Sequence, residues 1–126
     1  MLVPNQEEGS IDAVAVFETK DEDGEPTGSL VASQGGFQKL ITGLSLPTYI
    51  HYDHKSRNLY VCDHDKVLSY PIEFDSWRPL VPERGLTLVE DIECAGLNAD
   101  KFGNLLYVDV STKSIRKLKG KHVLDL

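Results

Sequence analysis

Between Thr48 and Leu118 the apolar residues come in short runs closed by polar turns, and the same order of runs occurs twice. The later copy, CAGLNADKFGNLLYVDVSTKSIRKL over Cys94–Leu118, predicts three consecutive antiparallel strands at Ala95–Ala99, Leu105–Asp109 and Ser114–Leu118. The earlier copy, TYIHYDHKSRNLYVCDHDKVLSYPI over Thr48–Ile72, predicts strands at Thr48–Asp53, Leu59–Asp63 and Lys66–Ile72. In each copy an aspartate (Asp53, Asp100) stands seven residues before a tyrosine (Tyr60, Tyr107), and the tyrosines are 47 apart. Asp53 and Asp100 then sit at the entry to a turn, where a carboxylate accepts backbone N–H bonds. Tyr60 and Tyr107 read as repeated packing residues.

The flanking sequence continues in the same style. Met1–Val3 is a strand stub, and Ile11–Phe17 (IDAVAVF) reads as one strand with its frequent β-branched residues. Lys20–Gly28 (KDEDGEPTG) reads as a charged loop, followed by a short strand at Ser29–Ser33 and an extended stretch at Phe37–Thr42. Ser76–Gly85 holds an outer strand, because Pro79 and Pro82 lack ladder donors and suit a sheet edge. His122–Leu126 starts another outer strand. No stretch keeps a 3.6-residue apolar period for three turns, so the chain is expected to be all-β.

A strand repeat of this length points to four-stranded antiparallel blades of a β-propeller. With strands lettered A to D outward from the centre, the order is B-C-D, A-B-C-D, A-B-C-D. The expected division is an incomplete blade at 1–46, a full blade at 47–93, and a full or nearly full blade at 94–126. That is about 2.75 blades, against four to eight in a usual propeller. An open arc leaves apolar faces bare. Other protein chains, copies of this one or further sequence are therefore expected to complete it.

Leu-Tyr-Val after an Asn or Gly-Asn turn, with the aspartate upstream, resembles the repeat of NHL and SMP-30/gluconolactonase-like propellers. AGLNADKFGNLLYVDVSTKSIRKL is similar to that repeat throughout, and LPTYIHYDHKSRNLYVCDHDKVLSYPI more loosely. LVPNQEEGSIDAVAVF resembles the B–C hairpin of lactonase-type propellers. The resemblance implies the propeller scaffold. In its SMP-30-like branch it also implies a divalent metal on the central axis, held by Glu, Asn and Asp from separate blades. The glutamate-bearing first-blade motif and the Pro-Asn-Gly turn of that branch do not occur here. Asn98 stands on an inner strand where a side chain faces the axis.

Charge narrows the field. Thirteen Lys and Arg against 20 Asp and Glu give a net charge of −7, which disfavours binding to a phosphate backbone. Lys113, Arg116, Lys117, Lys119 and Lys121 gather late without interleaved aromatics and read as a solvated face. No apolar run approaches the ~18 residues of a membrane span. The opening MLVPNQEEGS lacks the basic and apolar regions of a signal peptide.

Candidate chemistry lies at one mouth of the expected blades, where B–C and D–A turns meet. Asp63, His64, Asp65 and Asp91, with Asn98, are the candidate ligands for Ca²⁺ or Mg²⁺, which take oxygen donors. Glu90, Glu93 and Asp109 form the rest of the candidate binding face, with Asn5 beside them and Trp77 on the outer segment as a partner-binding aromatic. A solvated acidic rim is the alternative for the same residues. His51 and His54 fall at the opposite hairpin end, roughly 15 Å from Cys62–Asp65 on strand rise. Cys62 and Cys94 are expected as two buried thiols, because a disulfide needs Cα atoms within ~7 Å and adjacent blades splay. Cysteine catalysis is not expected, since His64 points to the other strand face from Cys62. The leading expectation is a non-catalytic binding module. The alternatives are part of a metal-dependent lactonase or hydrolase, and a ring-forming carbohydrate-binding propeller.

Overall fold

The computed structural model describes residues 1–32, 35–75, 78–81, 84–119 and 122–125. Fifteen strands and no helix form among them, and every pairing is antiparallel. No described helix is therefore long and apolar enough to cross a membrane.

The first sheet has three strands, β1 (Leu2–Asn5), β2 (Ser10–Ala13) and β5 (Gln38–Ile41), in the order β1-β2-β5. Between β2 and β5, strands β3 (Val16–Lys20) and β4 (Pro26–Ala32) pair with each other as a separate hairpin. The second sheet runs β6 (Pro47–Asp53), β7 (Asn58–Asp63), β8 (Lys66–Pro71), β11 (Leu86–Val89). Its own excursion, β9 (Glu73–Asp75) with β10 (Arg78–Leu80), is a second small hairpin. The third sheet runs β12 (Cys94–Ala99), β13 (Leu105–Asp109), β14 (Ser114–Lys119), β15 (His122–Asp125).

Register ties the sheets together position by position. In the first sheet Ile11 pairs Ile41, the ladder slips one residue, and Asp12 pairs Lys39. In the second, Val67 pairs Val89, the ladder slips, and Leu68 pairs Thr87. A second shared bulge lies between β6 and β7 (Pro47 with Asp63, then Tyr49 with Cys62) and between β12 and β13 (Cys94 with Asp109, then Gly96 with Val108). A bulge adds one unpaired residue and sharpens strand twist, so shared bulges give the sheets a common curvature.

Two apolar cores fill the spaces between the sheets. Leu59, Val61, Leu68 and Tyr70 of the second sheet meet Ile11 and Ile41 of the first. On its other face Tyr60, Cys62 and Val67 meet Leu97, Leu105, Tyr107 and Leu118 of the third. The second sheet is thus covered on both faces, which explains the near-continuous apolar runs NLYVCD and KVLSYP. Complete burial of a Val or Leu side chain contributes about 1.5–3 kcal/mol, so these two seams dominate cohesion.

Several expectations are corrected. The outer strand of the second sheet is β11, not Ser76–Gly85; Arg78–Leu80 folds back on Glu73–Asp75 instead. Gly85 lies against the Tyr70 ring, where a Cβ would approach Cζ to 2.5 Å, and no side chain fits there. Ile11–Phe17 is two strands, broken at Val14 and Ala15, because Val14 closes β1–β2 through reciprocal bonds with Met1 while Val16 starts the hairpin. Of the expected strand Ser29–Ser33, residues 29–32 belong to that hairpin through β4, and Ser33 lies outside the described residues.

The tyrosine spacing is also not the structural repeat. Four residues separate Asp53 from its partner Asn58, whereas three separate Asp100 from Asn104, whose carbonyl accepts the Asp100 amide at 2.9 Å. The shorter turn moves Tyr107 one place along its strand, so its counterpart on β7 is Val61 rather than Tyr60. Tyr60 and Tyr107 instead enter one core from opposite sheets.

Candidate functional site

The acidic residues of the candidate face prove to hold backbone. Asp63, at the end of β7, is buried, and its two carboxylate oxygens accept the amides of Ser45 (3.1 Å) and Leu46 (2.7 Å). The next amide, His64, donates to the Leu46 carbonyl at 3.0 Å. Asp109, at the end of β13, is likewise buried and accepts the Glu93 amide at 3.0 Å. The Val110 amide returns a bond to the Glu93 carbonyl at 2.9 Å. One arrangement therefore clasps the segment entering β6 and the segment entering β12.

A second bond accompanies each clasp. Leu44 donates its amide to the Gly9 carbonyl (2.9 Å), and Ile92 donates to the Asp65 carbonyl (3.1 Å). Each links the segment entering a sheet to the tight turn of the sheet before it. Gly9 has φ +61, and a Cβ there would collide with the Leu44 carbonyl oxygen, so glycine is required. Asn5 stands in the first sheet where Asp63 stands in the second, and donates its side-chain amide to Asp12 at 3.1 Å.

Bonding favours the ionised form of Asp109. The Ser111 hydroxyl (2.6 Å), aided by the Glu93 amide, outweighs burial and holds Asp109 below the ordinary carboxylate range. At the opposite hairpin ends, Asp53 accepts the Ser56 hydroxyl (2.7 Å) and the Lys55 amide (3.2 Å) and is lowered, chiefly by that hydroxyl. Burial pushes Asp100 upward, but bonds from Asn104, Lys117 and the Phe102 amide prevail and bring it well below the usual range. Both turn aspartates thus do the backbone work expected of them.

The remaining candidates are scattered by this construction. His64 (φ 55) and Asp91 (φ 57) are left-handed turn residues, where their small or polar side chains are tolerated. Glu90 and Glu93 are exposed, and Glu93 contributes its backbone rather than its carboxylate to the clasp. Asn98 is exposed on β12 and accepts the Ala99 amide at 2.8 Å. Among the described residues no three His, Cys, Asp or Glu side chains converge as metal ligands would. Trp77 lies outside the described residues.

The cysteines overturn the expectation of two thiols. Cys62 and Cys94 are joined as a disulfide with Cα atoms 5.5 Å apart. Cys62 reaches forward from β7 into the core between sheets, and Cys94 is the first residue of β12, where the clasp draws the third sheet against the second. The second and third sheets thus come within disulfide reach of each other at these two positions. Cysteine nucleophilic chemistry is removed with the thiols.

A shallow open groove that the sequence did not disclose is lined by Leu2, Ile50, His51, Tyr52, His54 and Leu59, along the junction of β1 and β6. Tyr52 and His54 meet there edge to face, ring centres 4.9 Å apart. Its only sequence signal is the aromatic-histidine alternation YIHYDH. Compared with family models, with curated proteins and with solved structures, the chain matches none.

Proposed function

We propose that the chain is a segment of a β-propeller, related in style to NHL and SMP-30/gluconolactonase-like repeats, and that it serves as a non-catalytic binding platform. The observation that carries this is the recurrence of one antiparallel strand order through three successive sheets packed on one another, with each bulge recurring in two of them. On this reading the sheets are blades, with β6 and β12 as inner strands and β3–β4 and β9–β10 as insertions between third and fourth strands.

A platform rather than a catalyst is favoured because Asp63 and Asp109, the buried carboxylates of the candidate face, accept backbone amides of their own chain. A carboxylate so held positions the chain. Partners would be met on rigid surfaces such as the groove at Ile50–His54.

The test is a calorimetric titration with Ca²⁺ and Mg²⁺, paired with a hydrolysis assay on a panel of γ- and δ-lactones. No saturable heat and no turnover are expected. Stoichiometric metal binding with metal-dependent turnover would replace this reading with that of a lactonase segment.

A further inference from the structure

We infer that β4 is a docking edge for an extended segment of a partner protein, apolar in its first residues and basic in its last. The segment adds to the β3–β4 hairpin as a third, antiparallel strand. The site shares no residue with the groove at Ile50–His54, and it adds a partner class to the platform reading. It stands on the hairpin's own geometry, not on the propeller.

The edge is open. Among the described residues β3 and β4 pair only with each other, and all seven residues of β4 are exposed. A lone two-stranded ribbon is marginal in water, and further strands are what stabilise it. Sheet edges are usually blunted by charged side chains, yet Pro26–Ala32 carries none. The register shift of the hairpin lies toward its tip, between Glu18 and Lys20, so Val16–Glu18 against Leu30–Ala32 stays regular. In that regular part Phe17 and Val31 are direct cross-strand partners on one side of the ribbon, and both are at least half exposed. Leu30, on the other side, is 68% exposed. A strand laid along β4 would be held by main-chain bonds while its alternate side chains cover Val31 and Leu30.

Charge identifies the other end of the occupant. At the tip, Asp21 is spent on the chain itself, accepting the amides of Asp23 and Glu25 at 2.9 Å each. The carboxylates of Glu22, Asp23 and Glu25 are exposed and have no hydrogen bond or ion pair among the described residues. Lys20 is the one cation between Val16 and Ala32. Along β4 the tip and the apolar part are separated by the six residues from Glu25 to Val31, roughly 20 Å of extended chain. Every pairing among the described residues is antiparallel. An antiparallel addition sets the first residues of the incoming segment beside Val31 and its last beside Glu25. The occupant is therefore about seven residues long, apolar first and carrying Lys or Arg last. A second copy's β4 has no cation to set against Glu25.

The experiment titrates a labelled peptide, Val-Thr-Val-Thr-Lys-Thr-Lys, into the chain by fluorescence anisotropy, with hydrogen exchange to locate it. Saturable binding that salt weakens is expected, with exchange slowed at the β4 amides. The same peptide with Glu in place of Lys should bind about tenfold or more weakly, and so should wild-type peptide to a Glu22→Lys/Asp23→Lys/Glu25→Lys chain. Val31→Lys, which sets a charge on the apolar part of the edge, should weaken binding while the acidic tip stays intact. All four positions are exposed on a hairpin outside the stacked sheets, and circular dichroism checks that each variant folds. No saturable binding at millimolar peptide, equal binding of the Glu peptide, indifference to the variants, or protection outside the hairpin would overturn the docking. Dimers of the free chain paired through β4 would also overturn it, in favour of a second copy. The platform reading would survive those results, because the metal and lactone titrations decide it separately.

Discussion

Glu93 and Asp109 are locked by two opposed hydrogen bonds, amide to carboxylate at 3.0 Å and, through the neighbouring Val110 amide, back to the Glu93 carbonyl at 2.9 Å. Leu46 and Asp63 repeat the lock one sheet earlier. Where the chain passes from one sheet to the next, its direction is set by a carboxylate on the strand beside it.

Asp63→Ala should be the costliest change at the candidate face. It strands the amides of Ser45 and Leu46, and an unpaired buried donor costs roughly 1–3 kcal/mol. Asp63→Asn should lose less, since its one carbonyl oxygen still accepts. Urea unfolding measures both; a loss for the alanine variant below about 0.5 kcal/mol would mean that water replaces the clasp.

Acid should weaken the fold through the same groups. Asp12, Asp53, Asp100 and Asp109 all sit below the ordinary carboxylate value in the folded chain. The unfolded chain therefore binds more protons near and below pH ~3.9, and the stabilisation is complete above that value. It is lost as pH falls through the lower folded values. Thermal midpoints should be level from pH 5 to 7 in this respect and drop steeply below pH 4. An Asp109→Asn chain should show a shallower drop.

The Cys62–Cys94 bridge closes a loop of 32 residues' separation. Chain-entropy reasoning gives such a cross-link about 3–4 kcal/mol against the unfolded state. Unfolding in reductant, or of a Cys62→Ala/Cys94→Ala chain, should occur at clearly lower urea than for the oxidised chain. Coincident curves would show that the bridge contributes nothing in solution.

Gly9→Ala and Gly24→Ala form a matched pair, both at positive φ. At Gly9 the new methyl also strikes the Leu44 carbonyl, whereas at Gly24 nothing lies within 4 Å. Gly24→Ala should cost about 1 kcal/mol from the backbone alone, and Gly9→Ala at least twice that. Equal losses would mean that the Gly9–Leu44 contact has room to relax.

Much of the architecture was legible because strands and turns are local. The runs NLYVCD and LLYVD, bounded by polar turns, placed β7 and β13, and the charged Pro-Gly stretch marked the excursion near Gly24. Within each copy the order of the three runs, β6-β7-β8 and β12-β13-β14, followed from counting them. What escaped depends on residues far apart in sequence. Nothing in Asp63 announces that its partners are Ser45 and Leu46, and a turn shorter by one residue made Tyr60 and Tyr107 look equivalent when Val61 is the counterpart. Nothing local shows that Leu86–Val89, rather than the Pro-rich segment, pairs with β8 as the outer strand. The acidic candidates stand at strand ends and turns, but residue type does not separate a carboxylate that binds a ligand from one that binds its own chain.

Among the described residues the β3–β4 hairpin pairs only with itself, while the sheet it leaves and rejoins holds its register without it. Cleavage or insertion at its Asp21–Gly24 tip should leave the stacked sheets intact. It offers a port where an epitope, a fluorophore or a foreign loop can be grafted without rebuilding the scaffold.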